Sequence, residues 1–478
     1  MARRPRRPSP PTDGTFLSRI REWRAGSGPE VPADGLDEET TLPDPRAIDL
    51  ILRVGELLLA SGEGTEAVSE AMLSLSVAFE LPRSEVSVTF TAITLSCHPG
   101  SDQPPVTGER VVRRRSLDYF RVTELHILVQ DAALGQLELE GAIERLRAIK
   151  RAQPPYASWV LVSGFGLIAS SASVMMGGGI LVAAVAFLAT VLGDRVAAYL
   201  ARRGVAEFYQ MTAAAVCASS IGVALLWVDS WAGLDVHAGA VIIGNIMALL
   251  PGRPLVASLQ EGISGTYVSG SARLLEVFFT LGAIVSGVGA VAYVALQLGV
   301  NMQLDDLPIA STDLRLGVLL PVLVGAAGIA MAFAVSLAVP ARILPAIGGM
   351  GILIWLIYAI LRTSLGVPTV IATVGGAIVI GMIGHWLARH GQRPVLPYLI
   401  PSIAPLLPGS ILYRGLIELS MGDAAQGLLT LAEAVAVGLA LGAGVNLGGE
   451  LVRAFQRGGL AGAGRRSRPA ARRTRGSY

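Results

Sequence analysis

The chain has 478 residues, of which 52% are hydrophobic and only 15% charged, and its mean hydropathy is +0.57. Soluble proteins average about 45–50% apolar and about 25% charged residues, so most of this chain is too apolar for a soluble protein. The net charge of +2 argues against a nucleic-acid-binding protein. Two cysteines, Cys97 and Cys217, provide neither a disulfide framework nor a metal-binding motif.

The acidic residues are concentrated near the N-terminus. Of the 36, 23 precede Pro154 and only 13 follow it, which predicts a soluble N-terminal domain followed by a polytopic membrane region. The single lysine, Lys150, is not part of a Gly-rich phosphate loop, so ATP hydrolysis by this chain is excluded as an energy source. Nucleophile-elbow and zinc-protease motifs are also missing. We therefore predict no enzyme, no catalytic residues, no cofactor and no metal site.

The N-terminal third divides into a tail and a domain. Residues 1–43 are rich in Arg and Pro and predict a disordered basic tail beside anionic lipid rather than a secretion signal. Residues 44–153 predict a cytoplasmic α+β domain. Asp44-Pro45 begins a helix over about 46–60, and a second helix follows over 65–79.

The rest of this domain contains a strand, a basic patch and more helix. Alternating apolar and polar residues over 86–92 predict one half-buried strand. A basic patch then consists of Arg110 and residues 113–115, and helix continues to Arg151.

Apolar stretches near the ~20 residues that cross a bilayer follow from Tyr156 onward. We predict ten spans, the fourth and ninth short: about 157–175, 178–200, 208–228, 236–251, 270–298, 315–338, 343–361, 367–388, 394–408 and 426–449.

The membrane region contains an internal repeat. A shift of 157 residues places Leu249-Leu250-Pro251-Gly252 on Leu406-Leu407-Pro408-Gly409 and gives 14 identities over positions 249–288. It also superimposes Glu261 on Glu418 and Glu276 on Glu433. The fold class we predict is therefore two five-helix repeats, at 154–300 and 314–452, followed by a basic disordered tail at 453–478.

Five spans per repeat is an odd number, so the second repeat must enter the membrane from the opposite side. Most connections after even spans carry arginine, whereas those after odd spans are mainly acidic, and this favours cytoplasmic termini. Arg315, Arg362 and Arg414 are counterexamples to this pattern. Inverted repeats are a common plan of secondary transporters.

Two Pro-Gly breaks, Pro251-Gly252 and Pro408-Gly409, end the short spans. Proline removes a backbone donor and glycine permits unwound backbone, so polar backbone groups could face a transport site there. The alternative is a pair of turns at the membrane surface. Glycines spaced by four residues at 438 and 442, and at 444 and 448, predict close helix contacts on the tenth span.

Intramembrane carboxylates are the leading candidates for coupling transport to protons. Glu276 and Glu433 lie about two turns inside apolar runs, where an ionisable group usually faces a cavity or a partner. For Glu276 the alternative is an ion pair with Arg273 at i,i+3.

Further polar candidates lie close to the breaks. Glu261 and Glu418 could bind a substrate amine, or they could be solvated loop residues. Asn245 could bind a zwitterionic amino acid through its amide, or it could serve a helix contact.

The segments ILRVGELLLASGEGTEAV at 51–68 and EVSVTFTAITLS at 85–96, with the LLPG-centred halves, resemble the bacterial threonine/serine exporter family over about residues 46–452. The resemblance implies a cytoplasmic front domain, two five-span modules and export of threonine and serine driven by the proton motive force. It brings no specific site residues with it.

We predict a multi-pass protein of the bacterial inner membrane, with both termini cytoplasmic, that exchanges small polar amino acids for protons. Its partners would be the amino acid, protons and lipid, with a homo-oligomer left open and no nucleic acid. The alternatives are a dicarboxylate exporter, which would need Arg253, Arg273 or Arg414, and a membrane-anchored hydrolase-like enzyme.

Overall fold

The computed structural model describes residues 42–99, 103–112, 118–153, 155–233, 239–300, 315–391 and 393–459. The predictions for residues 1–41, 113–115 and 460–478 lie outside the described residues. The chain divides into two compact units. The first contains the N-terminal region to Leu161 with Gln260–Glu276 and Leu337–Pro340, and the second contains Val162–Leu259, Val277–Ser336 and the chain from Ala341 onward.

In the described part of the first unit, four N-terminal helices pack with a three-stranded antiparallel sheet of order β1-β2-β3. Its elements are α1 (Pro45–Ala60), α2 (Thr65–Ala78), β1 (Arg83–Val88), β2 (Ala92–His98), β3 (Val106–Val111), α3 (Tyr119–Ala133) and α4 (Leu139–Arg151). In the register, Val86 pairs with Leu95, and Leu95 pairs with Gly108.

Helix α1 begins where the sequence predicts. The Asp44 carboxylate accepts a hydrogen bond from Arg46 N at 2.8 Å, and Pro45 occupies the first turn, where its missing N–H costs nothing. Apolar residues at helical spacing, among them Ile51 and Leu58, are fully buried. They pack into one core with Ile93 and Leu95 of β2 and with residues of α2, α3 and α4.

The single strand expected over 86–92 is wrong. β1 ends at Val88 and β2 starts at Ala92, and Thr89 N donates to Ala92 O at 2.8 Å across the turn between them. The alternation of apolar and polar residues runs through this turn without a break, so periodicity could not reveal it.

Arg110 lies on β3 and is engaged in ion pairs. Its guanidinium nitrogens lie 2.8 Å from Asp49 Oδ1 and 2.9 Å from Glu56 Oε2, both on α1. Burial raises the pKa of Asp49, but hydrogen bonds from Arg53 and Arg110 outweigh it, so this pKa lies below its usual value. The arginine therefore attaches the sheet edge to α1.

The membrane helices are α5 (Ser158–Met175), α6 (Ile180–Arg202), α7 (Glu207–Ala232), α8 (Gly239–Leu249), α9 (Gly252–Ile263), α10 (Tyr267–Gln297), α11 (Leu316–Ser336), α12 (Leu344–Thr363), α13 (Thr369–His390), α14 (Leu396–Ile403), α15 (Gly409–Ser420) and α16 (Ala424–Gly459). Among the described residues, eight helices are long and apolar enough to span a bilayer. Two further pairs, Gly239–Leu249 with Pro254–Ile263 and Leu396–Leu406 with Gly409–Leu419, are bent by 44° and 42°. Counting each bent pair as one span gives ten.

Helix boundaries repeat with the same 157-residue interval as the sequence. Gly239–Leu249 maps onto Leu396–Leu406, where α14 continues into a 3₁₀ turn, and Gly252–Ile263 maps onto Gly409–Ser420. The starts of α10 and α16, at Tyr267 and Ala424, differ by the same interval. The internal repeat is thus a repeat of elements as well as of residues.

The first helices of the two repeats cross in opposite directions. A Cβ atom on Gly164 of α5 would lie 3.1 Å from Ser336 N of α11, and one on Gly325 of α11 would lie 2.8 Å from Ser171 O of α5. Residue numbers therefore rise along α5 as those of its contacts fall along α11, which makes the pair antiparallel.

The spaced glycines of α16 make close helix contacts, as predicted. Gly444 and Gly448 lie against the α13 backbone, and Gly438 and Gly442 lie against Leu255 and Leu259 of α9. α16 extends to Gly459, ten residues beyond the predicted end of the tenth span and into the tail predicted to be disordered.

Candidate functional site

A cavity of about 340 Å³ lies in the second unit. Its residues come from both repeats, mostly from the second: Met175, Met176, Ile243, Trp355, Tyr358, Arg362, Thr369, Thr373, Pro405, Leu406, Leu407, Pro408, Ser410, Ile411, Arg414, Gln426, Thr430, Glu433 and Val437. The volume is typical of small-molecule sites, and a few polar groups on mainly apolar walls are the usual composition of such sites.

Three charged side chains line the cavity: Glu433 from α16, Arg362 from the end of α12 and Arg414 from α15. Glu433 is exposed, and no ion pair involves it within the part of the chain that the structure describes. Arg362 donates to Val367 O at 3.1 Å, a neutral acceptor. Arg362 and Glu433 therefore present one positive and one negative charge to the cavity, and the two do not form an ion pair with each other.

Arg414 is held by a glutamate. Its Nε donates to Glu418 Oε1 at 2.9 Å, and the other carboxylate oxygen of Glu418 accepts from Thr430 Oγ1 at 2.5 Å. Glu418 is only 4% exposed, whereas the Arg414 side chain is 53% exposed. Glu418 is therefore not a solvated loop residue, and its contacts suit it to orienting Arg414 at the cavity wall.

Of the two Pro-Gly breaks, only the second contributes a residue to the cavity wall. The glycine of each break packs against a side chain that shortly precedes the other break. Pro408 lines the cavity. A Cβ atom on Gly252 would lie 3.0 Å from the Leu407 side chain, and one on Gly409 would clash with the Met247 side chain. A side chain at position 409 would therefore have to displace Met247, whereas one at position 252 would need only a small shift of the Leu407 methyl groups.

Glu261 lies in the first unit, in a buried ion pair. Its Oε2 is 3.0 Å from Arg273 Nε, and both side chains are at most 3% exposed. Thr65 N donates to Glu261 Oε1 at 3.2 Å, and Arg273 Nη2 donates to Glu63 O at 3.3 Å. These contacts join the α1–α2 turn to the segment Gln260–Glu276, and they explain the burial of a carboxylate predicted to be either substrate-binding or solvated.

The remaining predicted site residues lie away from the cavity wall. Asn245 is 2% exposed, accepts from Thr190 Oγ1 at 2.5 Å and donates to Val241 O at 2.9 Å, which is the helix contact named as its alternative. Glu276 belongs to the first unit and is half-buried. Neither these two residues nor Pro251 line the cavity.

Sequence reasoning missed several cavity residues, among them Arg362, Trp355 and Tyr358. A signal for the arginines was present. Arg362 and Arg414 are two of the three exceptions to the arginine distribution among the connections, and both line the cavity. An arginine on the unfavoured side of a membrane protein has a cost that a functional role can explain. The aromatic pair gave no comparable signal because such residues are common in membrane helices.

Among the described residues, no group of three or more His, Cys, Asp or Glu side chains is placed to hold a metal ion. The cavity lining itself offers side-chain charges, hydroxyls, an amide and aromatic rings.

Comparison with known proteins identifies the family. A family model described as a threonine/serine exporter matches residues 49–295, and a second, "Threonine/Serine exporter, ThrE", matches residues 323–449. A Mycobacterium tuberculosis protein named "Probable threonine/serine exporter" is 30% identical over 447 residues, covering 91% of this chain and 83% of the relative.

The "Threonine/serine exporter" of Corynebacterium glutamicum is 27% identical over 413 residues, covering 86% of this chain and 83% of that protein. No solved structure gives a significant match. With 8 to 10 candidate spans among the described residues, this is a multi-pass membrane protein, and the chain belongs to the threonine/serine exporter family.

Proposed function

We propose that this protein exports small polar amino acids, threonine and serine first, and that the cavity beside Pro408 binds them. The observation that carries the proposal is that Glu433, Arg362 and Arg414 line the same cavity. A zwitterion presents an ammonium and a carboxylate, which these groups match. The names of the two relatives support the same substrates.

Charge balance favours a zwitterion over a dicarboxylate. Glu418 offsets Arg414, so Arg362 and Glu433 together leave the wall close to neutral. A dicarboxylate would meet Glu433 as a like charge, and the two carboxylates would repel each other. Of the arginines considered for a dicarboxylate, Arg273 is already paired with Glu261, and the side chain of Arg253 lies outside the described residues.

We further propose ten spans in two inverted repeats with cytoplasmic termini in the bacterial inner membrane. The repeated helix boundaries and the antiparallel crossing of α5 and α11 support this arrangement. In this topology, the α5–α6 and α12–α13 connections are extracytoplasmic. Met176 of the first connection lines the cavity, as do Arg362 and Thr369 on the two sides of the second. A cysteine at Ser410 should then react with a membrane-impermeant maleimide in whole cells; labelling only after permeabilisation would contradict the topology.

Proton exchange is the coupling we propose, with Glu433 as the group that takes up and releases the proton. A substrate ammonium bound beside the carboxylate favours its charged form, so a proton can leave when substrate enters and return when substrate leaves. Export driven by the proton motive force follows if substrate and proton compete for this site. Glu276, at the equivalent position of the first repeat, stays a candidate for the same role there.

The test uses the full-length protein in proteoliposomes loaded with labelled threonine. An imposed pH gradient should drive threonine flux, and Glu433→Gln should reduce the driven flux at least about tenfold while threonine–threonine exchange persists. Glu450→Gln is the matched control, because Glu450 lies on the same helix, is exposed and pairs with Arg453 outside the cavity.

Unchanged gradient-driven flux in the folded Glu433→Gln protein would remove Glu433 from the mechanism. Inhibition by succinate without inhibition by serine would favour the dicarboxylate alternative. A membrane-anchored enzyme would be favoured if the wild-type protein moved neither substrate while the full chain hydrolysed candidate amides.

A further inference from the structure

Trp355 is a buried residue of the cavity wall whose indole N–H is not used in any hydrogen bond among the described residues. It lines the cavity from the middle of α12 and is only 5% exposed. Its Nε1 is buried and has no hydrogen-bond partner among the described residues. An indole N–H can only donate, so a buried one without an acceptor costs free energy in the empty site.

The indole packs against a neighbouring aromatic ring. Its ring centroid lies 5.3 Å from that of Tyr358, one turn further along α12, with a tilt of 43° between the rings. Tyr358 in turn lies beside Arg362 and Thr369, which also line the cavity. A donor on a packed ring near the charged groups is suited to selecting a ligand by hydrogen bonding.

We propose that Trp355 Nε1–H donates a hydrogen bond to the side-chain oxygen of the transported amino acid and thereby selects hydroxyl amino acids over apolar ones. This inference rests on the proposed function. The cavity already offers two arginines for the α-carboxylate and Glu433 for the ammonium. The side-chain hydroxyl is then the substrate acceptor that remains for an indole donor.

Selection follows from the cost of an unpaired donor. Threonine and valine are nearly isosteric, but only threonine brings an oxygen to the indole N–H. With valine bound, Nε1 stays buried without an acceptor, and a site of this kind discriminates against substrates that lack the hydrogen-bonding group. Serine against alanine is the same comparison with one methyl group fewer.

The test measures the ratio of kcat/KM for threonine to that for valine in proteoliposomes. Trp355→Phe keeps an aromatic ring beside Tyr358 but removes the donor, so the ratio should fall about tenfold, chiefly through slower threonine transport. Trp386→Phe is the matched control, because Trp386 is exposed, stacks on His390 and does not line the cavity. Its ratio should equal that of the wild type.

An equal loss of kcat/KM for threonine and for valine in Trp355→Phe would overturn the proposal. It would mean that Trp355 serves packing or carboxylate binding, which both substrates share. If the variant does not fold, the indole ¹⁵N–¹H signals of the wild type decide. Trp355 is one of six tryptophans, and its signal can be assigned by elimination with variants of the other five. It should shift on addition of threonine but not of valine, and identical responses would refute the inference.

The two proposals fail differently. A wild-type protein that moves no threonine contradicts the proposed function. A wild-type protein that prefers threonine to valine, with the same preference in Trp355→Phe, contradicts the role of Trp355 alone.

Discussion

Arg273 and Thr430 occupy equivalent positions 157 residues apart, and each contacts the glutamate twelve residues before it. Arg273 Nε lies 3.0 Å from Glu261 Oε2, and Thr430 Oγ1 donates to Glu418 Oε2 at 2.5 Å. The repeat therefore conserves a contact between two helices while its chemistry changes from an ion pair to a hydrogen bond. The second version leaves a neutral hydroxyl at the wall of the cavity.

The buried Glu261–Arg273 ion pair predicts that removing one partner destabilises the protein more than replacing both. Arg273→Leu leaves Glu261 as a buried, unpaired carboxylate and should lower the free energy of unfolding by about 3–5 kcal/mol. The double variant Glu261→Gln with Arg273→Leu should recover much of this loss, because neither charge is then buried alone. Thermal unfolding of the full-length protein in detergent measures both. If the double variant is no more stable than Arg273→Leu, the buried, unpaired charge of Glu261 is not the cause of the destabilisation.

The hydroxyl contact predicts an effect on substrate affinity. Thr430→Val removes a donor from the buried Glu418 carboxylate, which should loosen Arg414 and raise KM for threonine several-fold. Thr430→Ser keeps the hydroxyl and should restore most of the affinity. Concentration-dependent transport in proteoliposomes gives the comparison. Equal KM values for the Val variant and the wild type would mean that Glu418 does not orient Arg414 for binding.

Part of this arrangement was accessible from the sequence, for physical reasons. Long apolar runs and the two LLPG breaks predicted the helices, because bilayer thickness and backbone chemistry constrain them directly. The equivalence of Glu261 and Glu418 also followed from the repeat. Their partners did not, since Thr65 is nearly 200 residues from Glu261 and no local pattern links them. The strand turn at 89–91 was hidden because a hairpin can keep an alternating pattern.

Close helix packing predicts where glycine is required. A Cβ atom on Gly448 would collide with Ile378 O and lie 2.8 Å from Met382 N, and these backbone atoms cannot rotate away. Gly448→Ala should therefore destabilise the protein by about 1–3 kcal/mol. A Cβ atom on Gly349, within α12, would meet nothing within 4 Å, so Gly349→Ala should be neutral or slightly stabilising. Thermal unfolding in detergent distinguishes them, and equal melting temperatures would contradict the contact between α13 and α16.

Asp49 makes the stability of the first unit depend on pH. Because its pKa is lowered in the folded protein, its contacts with Arg53 and Arg110 stabilise above its unfolded pKa of about 3.9 and are lost as pH falls through the folded value. Asp49→Asn should speed hydrogen exchange in β3 at pH 7, by a factor corresponding to less than about 1 kcal/mol because the side chain is half-exposed. The difference from wild type should shrink as the pH falls below the unfolded pKa of about 3.9, after correction for intrinsic rates.

The control for this measurement is Glu140→Gln, whose exposed carboxylate pairs with Arg46, whereas Arg110 of β3 pairs with Asp49 and Glu56. It should leave β3 exchange unchanged at both pH values. Equal β3 protection in wild type and Asp49→Asn at pH 7 would show that Arg110 does not depend on Asp49 to hold the sheet edge.

The contact of the α1–α2 turn with Gln260–Glu276 can be captured by a disulfide. Thr65 Oγ1 donates to Thr266 Oγ1 at 3.4 Å, so cysteines at these two positions lie close enough to bond. Cys217 should be replaced by alanine, whereas Cys97 can stay because its side chain is fully buried and burial raises its thiol pKa. Mild oxidation should protect the engineered thiols of the double variant from a maleimide–polyethylene glycol reagent, and reduction should restore labelling. Each single-cysteine variant should label equally before and after oxidation, and full labelling of the oxidised double variant would contradict the contact.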